Sequence, residues 1–192
     1  MPSRYDDELW DLVPAGAGAP PAHLVELAAG LGSVDAALDL GCGDGRLAEA
    51  LDARALTLAD VSGGALERAA MRLPEARVVE LEPDAPLPLA DNAFDVVLCT
   101  ETIEHVRDIQ LLLSEARRVL RPGGRLALTT PAHSRLTGLD VLVRGFERRF
   151  DPLSPHLRFL TRRSLAGLLC ELGFDPGGVR RRAGTLIVVA TR

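Results

Sequence analysis

Two segments of this sequence carry side chains in arrangements that could do chemistry. The first, Asp39-Leu40-Gly41-Cys42-Gly43-Asp44-Gly45, places three glycines at alternate positions after a carboxylate. Glycines let a backbone take positive φ and pass close to a ligand. A helix starting just beyond would offer free N–H groups to a carboxylate or phosphate. Further along, Asp60 ends an apolar run, and a carboxylate at such a strand end can accept hydrogen bonds from both hydroxyls of a ribose. Asp60 could instead be a helix N-terminal charge, although Ser62 can cap that helix unaided. The spacing G-x-G-x-G brings the third glycine one position earlier than the dinucleotide pattern, so the loop alone suits a nucleoside cofactor of either kind or a plain structural turn.

The second segment is Glu101-Thr102-Ile103-Glu104-His105-Val106. His105 is the candidate general base, because a neutral imidazole with an ordinary pKa of about 6.5 can take a proton near physiological pH. A histidine that merely packs or caps a turn is the plainer alternative. Glu101, Glu104 and His105, joined by His156 or His133, could also bind a divalent ion through oxygen and imidazole ligands.

The elements that must position these groups alternate along the chain. Leu24, Leu27, Ala28 and Leu31 share helical spacing over residues 22–31, and residues 36–40 form a short apolar run suited to a strand buried on both faces. A helix is expected over 46–51, a strand over 55–59, a helix over 62–72 ended before Pro74, and strands over 77–81 and 94–99. Ile109, Leu112, Leu113, Ala116 and Leu120 make one face of a helix over 108–120, with Asp108 as N-cap and Pro122-Gly123-Gly124 as its stop. A strand follows over 125–130, then an irregular stretch over 131–160, then a helix over 161–172. Two closing strands separated by Gly184 must be antiparallel. The expected fold is α/β: a doubly wound, mostly parallel seven-stranded Rossmann-like sheet whose C-terminal strand is antiparallel.

The chain has 192 residues, room for one domain with a full core and no second one. Its 22 basic residues are all arginine, and the net charge is −5. Residues 132–163 carry a net +4, leaving −9 on the rest. The arginines at 135, 144, 148, 149 and 158 suggest an anionic acceptor or simply a solvated face. Cys42, Cys99 and Cys170 form no Cys-x-x-Cys pair, which argues against a zinc knuckle or disulfide framework and suits a cytoplasmic location. The first ten residues lack the order of a secretory signal, and no apolar run approaches the roughly 18 residues of a membrane span.

The order of these signals resembles the class I S-adenosylmethionine-dependent methyltransferases, in particular the small-molecule branch that includes quinone-biosynthesis enzymes. The resembling residues are Leu38 through Gly45, Asp60, the run Leu87-Pro88-Leu89-Ala90-Asp91-Asn92-Ala93-Phe94-Asp95-Val96-Val97, Leu120-Arg121-Pro122-Gly123-Gly124 and Thr129-Thr130-Pro131. The resemblance implies S-adenosylmethionine as cofactor. Asp39 and the turn Gly41, Cys42, Gly43 and Gly45 would hold its methionine end, and Asp60 with Val61 its ribose. Asp84 and Ala85 would lie near the adenine, where Pro83 shifts the family pattern, and Cys99 and Thr100 would line the sulfonium. It also implies that residues 1–34 form a lid and helix, with Tyr5 and Trp10 as lid or anchor, and that residues 132–160 build the acceptor side.

The expected activity is methyl transfer to a small-molecule oxygen, nitrogen or carbon nucleophile, with His105 catalytic. No resident metal is assigned, and neither membrane nor nucleic acid is expected as a partner. Three alternatives stand beside it. The Glu-x-x-Glu-His segment resembles the metal-dependent small-RNA 2′-O-methyltransferases, but Ser154-Pro155-His156-Leu157-Arg158-Phe159 lacks the acidic and aromatic surroundings expected there. A nicotinamide-dependent oxidoreductase and a nucleoside-binding protein without catalysis are the other two.

Overall fold

A computed structural model describes residue 10 and residues 18–145 and 156–192. Tyr5 and the arginines at 148 and 149 lie outside the described residues. The elements run α1 (Ala22–Ala29), β1 (Val34–Leu40), a 3-10 turn (Ala48–Ala50), β2 (Ala53–Asp60), α2 (Gly63–Arg72), β3 (Arg77–Glu80) and β4 (Phe94–Thr100). They continue with α3 (Ile109–Val119), β5 (Leu120–Pro131), α4 (Arg135–Arg144), α5 (Arg162–Glu171), β6 (Arg180–Arg182) and β7 (Thr185–Thr191).

One seven-stranded sheet takes the order β3-β2-β1-β4-β5-β7-β6. The first five strands pair in parallel, and only β7 reverses, against β5 on one side and β6 on the other. The strand order turns outward in both directions from β1, so a crevice opens beyond the C-terminal ends of β1 and β4, the place where open α/β sheets bind ligands.

Two faces of this sheet are covered. Leu38, Leu40, Val97, Leu126 and Leu128 pack with Leu113 and Ala116 of α3 and Leu165 and Leu169 of α5. Ala37, Val96, Leu98 and Ala127, whose side chains alternate to the other face, pack with Leu24 and Ala28 of α1. Leu58 meets Leu66 and Ala69 of α2. Strands buried on both faces explain the unbroken apolar runs. Each fully buried leucine contributes roughly 1.5–3 kcal/mol. The expected caps form: Ser62 Oγ accepts the Ala65 amide at 3.2 Å and Asp108 Oδ1 the Leu111 amide at 2.8 Å.

Two expectations are corrected. Residues 46–51 form only the Ala48–Ala50 turn, because seven residues separate Gly45 from β2 and a helix that short does not recover its nucleation cost. The stretch over 131–160, expected to be irregular, holds α4. Its apolar residues did not mark a buried face, since Leu139, Leu142 and Val143 are exposed. Pro122-Gly123-Gly124 ends α3 as expected but lies inside β5, where the β4 register jumps from Phe94↔Leu120 to Val96↔Arg125. Among the described residues no helix is long and apolar enough to cross a membrane.

Candidate active site

The crevice is built from the ends of four parallel strands. Leu40 ends β1, and the chain turns through Gly41, Gly43 and Gly45, all with positive φ, at +77°, +54° and +76°. The amides of Gly41 and Cys42 both donate to the Ala59 carbonyl of β2, at 2.8 and 3.1 Å. A side chain on Gly41 would collide with Thr102 of the segment after β4, and one on Gly43 would stand 2.6 Å from Cζ2 of Trp10. The turn therefore needs glycine both for conformation and for space.

Asp39, next to the end of β1, is 1% exposed, and its Oδ1 is buried with no hydrogen-bond partner. Burial, reinforced by the charge of Asp60, pushes its pKa up to about 7. A desolvated, unpartnered carboxylate is costly unless a cation or donor joins it. Asp60 ends β2 with both oxygens occupied by backbone amides: Gly43 donates to Oδ2 at 2.8 Å and Ser62 to Oδ1 at 3.0 Å. Val61 beside it packs half-buried on the main core cluster.

Other expected residues are placed more variously. Cys99 is fully buried in β4 and Thr100 ends that strand, its carbonyl taking the Thr102 hydroxyl at 2.9 Å. Burial drives the thiols of Cys42 and Cys99 far above their ordinary range, so neither is a nucleophile. Asp84 has its carboxylate taken up by Arg107 at 3.2 Å and the Asp108 amide at 3.3 Å. It ties the loop after β3 to the loop after β4, with Ala85 half-buried beside it.

The Glu101–His105 segment folds back over the crevice. Glu101 adopts φ +49°, held there by its amide on the Thr129 carbonyl at 3.1 Å and by the Thr129 hydroxyl on its Oε1 at 2.8 Å. Strained backbone of this kind gathers at functional sites. Glu104 is 1% exposed, with Oε2 accepting from the Thr130 hydroxyl at 3.0 Å and Oε1 buried without a partner. Burial, opposed in part by hydrogen bonds, pushes its pKa up to about 7. Its Oε1 faces His105 Nε2 at 3.9 Å, and the rings of His105 and His156 meet edge-on with centroids 4.8 Å apart. His133 instead packs edge-on against Phe159 at 5.1 Å, outside this cluster.

Neither Thr102 nor Thr130 has a role assigned from the sequence. Thr130 was discernible as a hydroxyl near the end of a strand buried on both faces; Thr102 carried no signal, because its contact with Gly41 depends on the fold back from β4. Of the arginines expected on the acceptor side, Arg144 pairs with Asp140 at 3.2 Å and Arg158 donates to the Arg107 carbonyl.

A sheet in this order, reversed only at β7, with a glycine turn after β1 and an acid ending β2, is the architecture of the class I S-adenosylmethionine-dependent methyltransferases. Residues 38–128 match the family described as a methyltransferase domain. The chain is 44% identical over 103 residues to 27-O-demethylrifamycin SV methyltransferase of Amycolatopsis mediterranei, covering 49% of this chain and 38% of that protein. It is 30% identical over 125 residues to a ubiquinone biosynthesis O-methyltransferase of Chelativorans, covering 62% of this chain and 49% of that one. The chain thus spans half or less of the length of these curated relatives. The solved structure of a methyltransferase from Aquifex aeolicus superposes with a TM-score of 0.69 at 20% identity, covering 100% of this chain and 98% of that one, a likeness of fold. The oxidoreductase, inactive-binder and RNA-modifying alternatives gain no support from these matches.

Proposed function

We propose that this chain transfers the methyl group of S-adenosylmethionine to a small-molecule acceptor. The observation that carries this reading is the unpartnered Oδ1 of Asp39, buried beside a turn that needs glycine to leave its backbone open. An ammonium next to a carboxylate is the pair that such a site lacks, and the methionine end of the donor supplies both. Asp39 takes the ammonium, and the amides of the turn at Gly41, Cys42, Gly43 and Gly45 take the carboxylate. Asp60 at the end of β2, with Val61, receives the ribose. The loop at Asp84 and Ala85 borders the adenine, and Cys99 and Thr100 floor the sulfonium.

When bound, the donor supplies a methyl group already activated by positive sulfur. The chain has to align the acceptor in line with it and keep water out. Trp10 against Gly43 and Thr102 against Gly41 cover the turn on two sides and support the reading of residues 1–34 as a lid. His105, whose amide donates to the Thr102 carbonyl at 3.0 Å, stands next to this cover and takes the acceptor proton. A well-placed base is worth about 10²–10⁴ in rate. Residues 132–160 frame the acceptor. Arg158, whose buried Nε has no hydrogen-bond partner, is the described cation that an anionic acceptor would engage. The exposed thiol of Cys170 suits a reducing, cytoplasmic setting.

The relatives named above are described as O-methyltransferases or act on a demethylated oxygen, and an oxygen nucleophile is accordingly the first acceptor to test. Calorimetry should show S-adenosylmethionine and its demethylated product binding, while NAD does not; the reverse pattern would overturn the proposal. A donor-consumption screen over phenols, quinone precursors and amines then identifies the acceptor class.

A further inference from the structure

We infer that the free edge of the sheet at β6 is a docking strip for an extended, acid-rich segment of a partner protein, which adds there as a further strand. The strip is defined by the sheet edge and its charge and does not depend on methyl transfer.

The strand β6 consists of three consecutive arginines, Arg180, Arg181 and Arg182, all exposed, and it ends the strand order beyond β7. A strand with a neighbour on one side only turns a row of backbone N–H and C=O groups outward, where another chain can pair with them. Ala183 and Gly184, with φ of +49° and +88°, join β6 to β7 in a two-residue turn of the kind that matches the twist of paired strands.

Successive side chains leave a strand on opposite faces. Arg181 pairs with Leu186, which packs in the cluster that includes Leu165 and Leu169 of α5, while Arg182 reaches Glu26 of α1 on the other face. Arg180, two residues from Arg182, shares that second face. On the first face α5 brings two more cations: Arg162 donates from Nε to the Val179 carbonyl at 2.9 Å, just before β6, and the exposed Arg163 follows it. Guanidinium groups therefore stand on both faces of the edge. Among the described residues, the Arg182–Glu26 contact is the one ion pair that any of the five makes. Five arginines less Glu26 leave +4 here, on a chain whose total is −5.

This charge selects the occupant. A second copy of β6 would set arginine opposite arginine, which is unfavourable across a strand pair. A nucleic acid or an anionic bilayer would lie against more surface than three strand residues, which span about 10 Å, and the chain outside this edge carries −9. A short strand with acids on both of its faces meets the guanidinium groups without meeting that charge. Its main-chain bonds supply affinity, and the arginines supply selectivity. The Gly184 carbonyl accepts the Ala132 amide at 2.8 Å, so the strip borders the stretch over 132–160, while β6 lies four places along the sheet from β1 and its glycine turn.

The test uses the full chain and an end-blocked, fluorescein-labelled peptide, Gly-Thr-Glu-Glu-Val-Glu-Glu-Thr-Gly, followed by fluorescence polarisation. One equivalent should bind saturably and more weakly as salt rises. Arg180→Glu combined with Arg181→Glu should weaken binding by at least about tenfold, with binding of the demethylated donor product kept within twofold of the parent. The same peptide N-methylated at alternate residues, unable to pair as a strand, should lose binding to a similar degree. Should the double variant lose its circular dichroism signal, Arg163→Glu, outside the strand, decides. Absence of saturable peptide binding overturns the strip and leaves the arginines as a guard against edge pairing. Equal binding by a folded variant or by the N-methylated peptide also overturns it, as does tighter binding of a single-stranded oligonucleotide or of phosphatidylglycerol vesicles.

Discussion

The backbone amide of Gly43 donates to Oδ2 of Asp60 across 2.8 Å, which locks the glycine turn after β1 to the end of β2. Asp60 also holds the Ser62 amide, at 3.0 Å, and with it the start of α2. One buried carboxylate therefore sets the positions of the two backbone segments that frame the donor site, besides any contact it makes with the donor.

Replacing Asp60 should for that reason cost stability as well as binding. Asp60→Ala leaves the Gly43 and Ser62 amides without an acceptor, at about 1–3 kcal/mol for each. Asp60→Asn keeps one acceptor and should fall between. Urea unfolding measures the first effect and calorimetry with the donor product the second. A stable Asp60→Ala protein that binds normally would contradict the linkage.

Gly43→Ala should be penalised twice, by the +54° φ and by the contact with Trp10. The backbone part costs about 1–2 kcal/mol. The contact part should vanish in a Trp10→Ala background, so a double-mutant cycle on unfolding free energies should return a coupling between the two positions. Strict additivity would show that Trp10 does not rest on the turn.

Asp39 predicts a pH dependence with a definite sign. Its folded pKa, pushed to about 7 by burial and then by the charge of Asp60, lies above the ordinary value of 3.8. The native state thus holds a proton that the unfolded chain has already lost. This group's contribution is fully present below about pH 4 and declines as pH rises through about 7. Asp39→Asn should flatten that decline in melting temperature. Donor product should raise the melting temperature more at pH 8 than at pH 6 in the parent, because the ionised carboxylate is the form that pairs with an ammonium. Parallel pH curves for parent and variant would remove Asp39 from this role.

Arg118 anchors the loop that precedes β4. It donates to the carbonyls of Leu87 and Leu89 at 2.9 and 2.8 Å and pairs with Glu115 at 2.7 Å, while Glu115 accepts the Leu87 amide at 2.8 Å. Arg118→Ala should destabilise the protein by about 1–3 kcal/mol. Amide exchange should accelerate over residues 84–92 ahead of the rest. Arg118→Lys should recover little of this, because an ammonium lacks the planar fork that reaches both carbonyls and the carboxylate. Exchange that quickens uniformly over the chain would show that the contact acts globally instead.

Much of the framework was readable because its signals are local. The runs at Leu38, Val97 and Leu126 are apolar since both sheet faces are covered, and Gly41 and Gly43 punctuate the chain where positive φ is required. Asp39 and Asp60 were recognisable as acids at strand ends. What the sequence concealed depends on segments distant in the chain. The pairing of Asp84 with Arg107 has no local signal, and His133 and His156 are indistinguishable by type, yet of those two only His156 reaches Glu104 among the described residues. Helix α4 was hidden for a different reason: Leu139, Leu142 and Val143 are exposed, so these apolar residues gave periodicity no buried stripe to report.

The indole of Trp10 lies against Gly43, with Arg68 6.0 Å above its ring. Trp10 is also the single tryptophan in the chain. The protein consequently carries a built-in optical reporter at the mouth of its own cleft, and its emission needs no label to register whatever enters there.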